Sequence, residues 1–136
     1  MTWAAVSRYD RWTKETRAEW TESGRVHVLN ARTGQHMPLD VSLLEDFEAN
    51  AERLSILDAA SEVRAPWLIV HGRDDLTVRE AEARDLARAL GKAKLVLVEK
   101  SGHTFEVSHP FEGSSPQLTE ATAATTRHFA LHLGEG

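Results

Sequence analysis

A carboxylate and an imidazole stand at the ends of two short apolar runs in the second half of this chain. Trp67 to Val78 reads WLIVHGRDDLTV, and Leu95 to Phe105 reads LVLVEKSGHTF. Each run can form a fully buried strand, and each passes at once into a Gly-containing loop. The first loop carries Asp74 and Asp75, the second His103. A carboxylate that orients an imidazole and stabilises its cation is the charge system that draws a proton from a nucleophile in acyl transfer. Both groups must reach one point in space. Loops just beyond the carboxyl ends of adjacent parallel strands achieve this, because they open onto the same edge of the sheet. The same compositions also serve as an ordinary Asp turn and a loop histidine.

The 28 residues from Asp75 to His103 leave room for one helix and one strand. Ala83, Leu86, Ala87 and Leu90 form the inward stripe of that helix, and Gly91 sits where a left-handed C-terminal residue is wanted. Strand, helix and strand make a unit whose crossover sets the two strands parallel. Upstream, Thr2 to Ser7 reads as a short buried strand abutting Met1, as if the chain were cut there. Trp12, Thr16 and Trp20 recur at helical spacing in the next segment, with Gly24 as its stop. Arg25 to Met37 predicts a hairpin, with Val26 and Val28 on one face and a turn at Thr33-Gly34.

Pro38 and Asp40 then introduce a helix. Ser42 and Glu45 are spaced as its capping box, and Leu43, Phe47, Ala51 and Leu54 share a face. A second short helix, ILDAASEV, ends before Pro66. The closing helix has Ser115 as N-cap and Pro116 at its first position. Leu118, Thr122, Thr125, Phe129 and Leu133 form its apolar face, and Gly134 ends it.

Gly72-Arg73-Asp74-Asp75-Leu76-Thr77-Val78 and Ser101-Gly102-His103-Thr104-Phe105 resemble the acid and base segments of the α/β-hydrolase fold. There the chain order is nucleophile, acid, His. The resemblance places the acid three residues after the Gly, at Asp75, leaving Asp74 to cap or face solvent, and the base at His103. His109-Pro110-Phe111-Glu112-Gly113 is similar to a tail of dienelactone-hydrolase-like and peptidase-like esterases. The resemblance implies an α/β class and a partial doubly wound α/β-hydrolase fold, its last three parallel strands with flanking helices and a lid excursion. It forms one partial domain over 1–136: a strand at 1–7, lid-like helices and hairpin at 8–60, and a βαβα segment with both loops at 61–136.

The pattern departs from the family at the nucleophile. None of the nine serines has Gly two before and two after it; the nearest, Ser115, is followed by Pro116 and lies after the His. The resemblance therefore implies a carboxyl-terminal, truncated portion of an esterase-like or peptidase-like serine hydrolase, carrying the triad Asp and His but no Ser. Its substrate would be a small ester, lactone or amide, and alone it should be inactive. Two other readings stand beside this one. The chain could be half of a split hydrolase completed by a partner carrying the early strands and the serine, or a non-catalytic domain that self-associates. A strand near Trp3 to Val6 without its neighbour presents unpaired N–H and C=O groups that recruit other strands, which favours dimerisation or aggregation.

Bulk composition narrows the classes. With 136 residues and 41% of them hydrophobic there is material for one core. A net charge of -5, with acidic and basic residues interleaved, argues against a nucleic-acid partner. No apolar run approaches the ~20 residues of a membrane span, and no secretory leader pattern opens the chain, so it reads as cytoplasmic. The absence of cysteine excludes disulfides and thiol chemistry. No cofactor or metal is expected. His128 and His132 have the spacing of a helical metal pair, yet no His-Glu-x-x-His accompanies them, and they read as partly exposed helix residues. His71 should pack or hydrogen-bond beneath the acid loop. Trp3, Trp12 and Trp20 either line an acyl pocket or simply pack.

Overall fold

The structure, a computed structural model, describes residues 1–30 and 33–133. In chain order the elements are β1 (Thr2–Trp3), α1 (Lys14–Ser23), β2 (Arg25–Leu29), β3 (His36–Asp40), α2 (Val41–Ala49), α3 (Ile56–Ser61), β4 (Leu68–Gly72), α4 (Glu80–Leu90), β5 (Lys94–Val98) and α5 (Pro116–Leu133). They form two compact units, Met1–Arg8 with Ile56–Gly136, and Tyr9–Ser55. Tyr9–Ser55 is compact by itself, and α3 packs with the sheet unit.

In the first unit, β4 is buried along its whole length and runs parallel to β1 on one side and β5 on the other. Its apolar run supplies both faces, because successive side chains of a strand point to opposite sides. Leu68 and Val70 pack with Val98, Phe105, Ala121 and Ala124 under α5. Ile69 packs with Ala60, Ala83 and Leu86 on the face covered by α3 and α4. Gly91, at a left-handed φ of 74° that glycine adopts without steric cost, closes α4 where the sequence places it.

β1 is shorter than its apolar run. Pairing with β4 ends at Trp3, one further bond joins the Ala4 N–H to the Val70 carbonyl at 3.0 Å, and Ala4 then turns the chain away at φ 44°. The continuation is fastened elsewhere, since the Glu82 carboxylate accepts the Ser7 N–H at 2.8 Å. The face of α5 also differs from expectation. Ala121, Ala124 and His128 are buried, whereas Phe129 and Leu133 are exposed. Small side chains let a helix backbone approach a sheet closely, and here they outrank the larger apolar residues in setting the face. His128 is buried and not partly exposed. Burial first, then the charges of His132 and the amino terminus, make its imidazole more acidic than usual, against a bond to the Pro66 carbonyl. Gly134, expected to end α5, lies outside the described residues.

In the second unit, α1 begins at Lys14 because the Thr13 hydroxyl caps it, accepting the Thr16 N–H at 3.2 Å. Trp12 therefore precedes the helix, yet its ring still meets Trp20 edge-on at 5.1 Å and Phe47 at 6.0 Å. Trp20 is fully buried and donates to the Leu39 carbonyl at 3.1 Å. These tryptophans pack within their own unit, as Trp3 packs against Phe105 in the other. The hairpin pairs β2 with β3 from Arg25↔Asp40 to Leu29↔His36.

Pro38 lies inside β3, opposite His27, instead of opening the next helix. Bonds from the Asn30 N–H to the Gln35 carbonyl and from the Val41 N–H to the Gly24 carbonyl fix the alternation of the ladder. They leave 27–38 as a non-hydrogen-bonded pair, where proline's missing N–H costs nothing. Asp40, not Ser42, then caps α2 by accepting the Ser42 N–H at 3.1 Å. That start makes Leu44 the buried residue and leaves Leu43 outside.

Among the described residues no helix is long and apolar enough to cross a membrane. Leu68 is fully buried in the cluster under α5. Leu68→Ala should cost about 2–5 kcal/mol in urea unfolding; a loss within error of zero would show that this cluster is not the core.

Candidate active site

The two loops are brought together by the ends of β4 and β5. Their register closes at Gly72↔Val98, and the ladder continues into the loops. The Arg73 N–H donates to the Val98 carbonyl and the Asp74 N–H to the Ser101 carbonyl, both at 2.9 Å. The approach is so close that a Cβ on Gly72 would lie 2.4 Å from the Ser101 oxygen. Glycine is required here by space, since the two backbones are in contact.

Beyond Gly72, Asp75 folds back as an Asx turn. Its Oδ1 accepts the N–H groups of Thr77 and Val78, each at 2.8 Å. Its Oδ2 accepts from His103 Nδ1 at 2.8 Å. The Asp75 side chain is 0% exposed and that of His103 40%. The imidazole is therefore anchored at Nδ1, and no described residue hydrogen-bonds its Nε2. Asp74 faces solvent.

Burial alone would raise the Asp75 pKa, because it penalises the charged form. The Val78 N–H, the His103 ring and the Thr77 N–H outweigh it and hold the carboxyl below its ordinary 3.8. An ionised Asp75 accepts only, so Nδ1 of His103 carries the hydrogen. This is the arrangement in which an imidazole presents a free Nε2 as a base.

The His103 loop is strained and tied down. Lys100, Phe105 and Glu106 have φ of 51, 53 and 59°, a region that side chains rarely adopt, at a cost of about 1–3 kcal/mol each. Glu106 compensates through Oε1, which accepts the Gly102 N–H at 2.8 Å. Ser115 donates from Oγ to the Phe105 carbonyl at 2.5 Å and accepts the Leu118 N–H at 2.9 Å. Phe105 is buried with its ring edge-on to Trp3, 5.2 Å between centroids.

A family model described as TAP-like protein matches residues 47–110, a span that includes both loops. Two curated relatives share the name "Putative carbamate hydrolase RutD". One, from Pseudomonas syringae pv. syringae, is 36% identical over 70 residues, 52% of this chain and 24% of its own length. The other, from Pseudomonas savastanoi pv. phaseolicola, is 27% identical over 95 residues, 68% of this chain and 36% of its own. The solved esterase domain of a Rhodothermus marinus protein superposes with a TM-score of 0.52 at 18% identity, over 93% of this chain and 49% of that one.

The fold is α/β-hydrolase-like. The chain spans about a quarter to a third of the curated relatives it matches. Within this hydrolase-like fold, β1, β4 and β5 are the parallel strands, and the two loops leave β4 and β5 at the same edge. Sequence reasoning passed over Glu106 and the tie from Ser115 to Phe105, because neither spacing has a motif; only left-handed backbone at 105–106 creates the need for them. His71, expected beneath the acid loop, has its Nε2 2.7 Å from the Val78 carbonyl.

Because Asp75 is more acidic in the folded chain, its contribution to stability is complete above its unfolded value and is lost as pH falls through the folded one. Asp75→Asn should destabilise the chain by about 1–3 kcal/mol at pH 7. It should also flatten the loss of stability below pH 3.8. Urea titrations at pH 7, 5 and 3.5 check both, and equal acid sensitivity in the two proteins would rule out the ionised, bonded carboxylate.

Proposed function

We propose that Asp75 and His103 are the acid and the base of a serine-hydrolase charge system, in a carboxyl-terminal portion of such an enzyme. The observation that carries this is the 2.8 Å bond from His103 Nδ1 to a buried carboxylate whose other oxygen is held by two backbone N–H groups. His103 Nε2 would take the proton of an attacking hydroxyl and return it to the leaving group, while Asp75 stabilises the imidazolium between those steps. The substrate class is a carboxylic ester, lactone or amide, to which the relatives' name adds the carbamate. The esterase-like assignment leans on the tail at His109 to Gly113 for its dienelactone-hydrolase-like and peptidase-like character.

This sequence supplies no serine in the elbow pattern. Catalysis then needs the nucleophile and its oxyanion donors from elsewhere, and the chain by itself turns over no ester. Purified chain incubated with p-nitrophenyl acetate should release nitrophenol no faster than its His103→Ala variant. Turnover that His103→Ala abolishes would refute the inactivity and require a nucleophile among the residues present.

A second reading is favoured by β1. Thr2 and Trp3 pair with β4 on one side only among the described residues, leaving the other edge of a parallel sheet open. Beside that edge, Ala5, Ile56, Ala59, Val63 and Trp67 line a shallow apolar groove. Such an edge recruits a strand, either from a chain carrying the nucleophile half or from a second copy. Sedimentation velocity of the isolated chain should show a concentration-dependent dimer or larger species. A sharp monomer boundary at every concentration, together with high thermal stability, would remove this reading and leave the first intact.

A further inference from the structure

Asp75 is held by more than the base it orients. His71 sits near the end of β4 with its side chain 0% exposed, on the same face as Ile69 by the alternation of the strand. Its Nε2 lies 2.7 Å from the Val78 carbonyl oxygen and 3.5 Å from Asp75 Oδ2, the oxygen that also receives His103. A carbonyl oxygen only accepts, so the hydrogen resides on Nε2. That N–H points at Val78 and passes beside the carboxylate. Nδ1 of the same ring is buried and has no hydrogen-bond partner among the described residues.

An unsatisfied buried nitrogen is destabilising, and an apolar side chain of similar volume would avoid it. What the imidazole contributes at this position is therefore the bond at Nε2. Val78 links that bond to the site. Its N–H donates to Asp75 Oδ1 while its carbonyl accepts from His71, so one residue of the turn is fixed at both ends. The direction of Asp75 Oδ2 follows from how Oδ1 is seated.

We infer that His71 is a positioning residue for the acid and base: by holding the Val78 carbonyl it fixes the turn that aims Asp75, and so keeps the His103 ring in its Nδ1–H tautomer. This rests on the reading of Asp75 and His103 as an acid–base pair, and the two can fail separately.

The test uses the whole chain with 15N-labelled histidine. Two-bond correlations from the ring C–H protons, recorded at alkaline pH where the imidazoles are neutral, distinguish a nitrogen that carries hydrogen from one that does not. In the wild-type chain, His103 should appear with hydrogen on Nδ1. His71→Phe removes the donor. His71→Gln places an amide nitrogen near the reach of Nε2, whereas His71→Asn stops short at the position of Nδ1.

Phe and Asn should move His103 toward the Nε2–H form, and Gln should restore the wild-type pattern. If Phe abolishes amide dispersion, the comparison of Asn with Gln decides, since both are polar and differ in reach. An unchanged His103 in the folded Phe or Asn variant, or equal loss with Asn and Gln, overturns the role of His71 while leaving the pair itself in place. Hydrogen on Nε2 of His103 in the wild-type chain overturns the pair, and the inference with it.

Discussion

The parallel pairing of β4 with β5 governs where every group of the site stands. Its register runs from Leu68↔Lys94 to Gly72↔Val98, so both strands finish at the same level and their loops leave side by side. A slip of one residue would exchange the faces of β4, turning Ile69 and His71 toward α5 and Leu68 and Val70 toward α4. Burial on both faces opposes that slip, which would also take His71 away from the Val78 carbonyl. Core packing and site geometry are in this sense one constraint.

Electrostatics at Asp75 follow from that placement. A carboxylate without solvent is unfavourable unless donors replace the lost water, and here the turn supplies two N–H groups and the second loop an imidazole. The turn donors come from residues two and three positions ahead, so they are provided by local folding. The imidazole comes from 28 residues away and depends on the sheet. Local and long-range structure thus each satisfy one oxygen of the same group. Exposure is divided equally clearly: the carboxylate is enclosed, and the imidazole side chain is partly exposed.

Much of this arrangement could be read from the amino acids, and the reasons are specific. The run Leu68 to Gly72, the stripe Ala83, Leu86, Ala87 and the stop at Gly91 each carry a local signal, and the elements form where those signals lie. The glycine of the acid loop was legible as a turn residue, while the crowding against Ser101 that makes it indispensable was not. Other features depend on competition between signals. Thr13 captures the start of α1 from Trp12, and Asp40 captures that of α2 from Ser42, which rotates the buried face by one residue to Leu44. On α5, alanines face the core and Phe129 does not, because close approach to the sheet is decided by the partner surface and leaves no trace in periodicity. His71 looks in sequence like any strand-end histidine until the turn after it brings the Val78 carbonyl back within reach.

Ser115 joins two things that a sequence reading keeps apart. Its hydroxyl oxygen begins α5 and its proton restrains the Phe105 carbonyl in a left-handed stretch two residues past His103. Fraying of the first helical turn would therefore weaken one restraint on the imidazole's loop, while the Glu106 bond to Gly102 and the buried Phe105 ring hold the others.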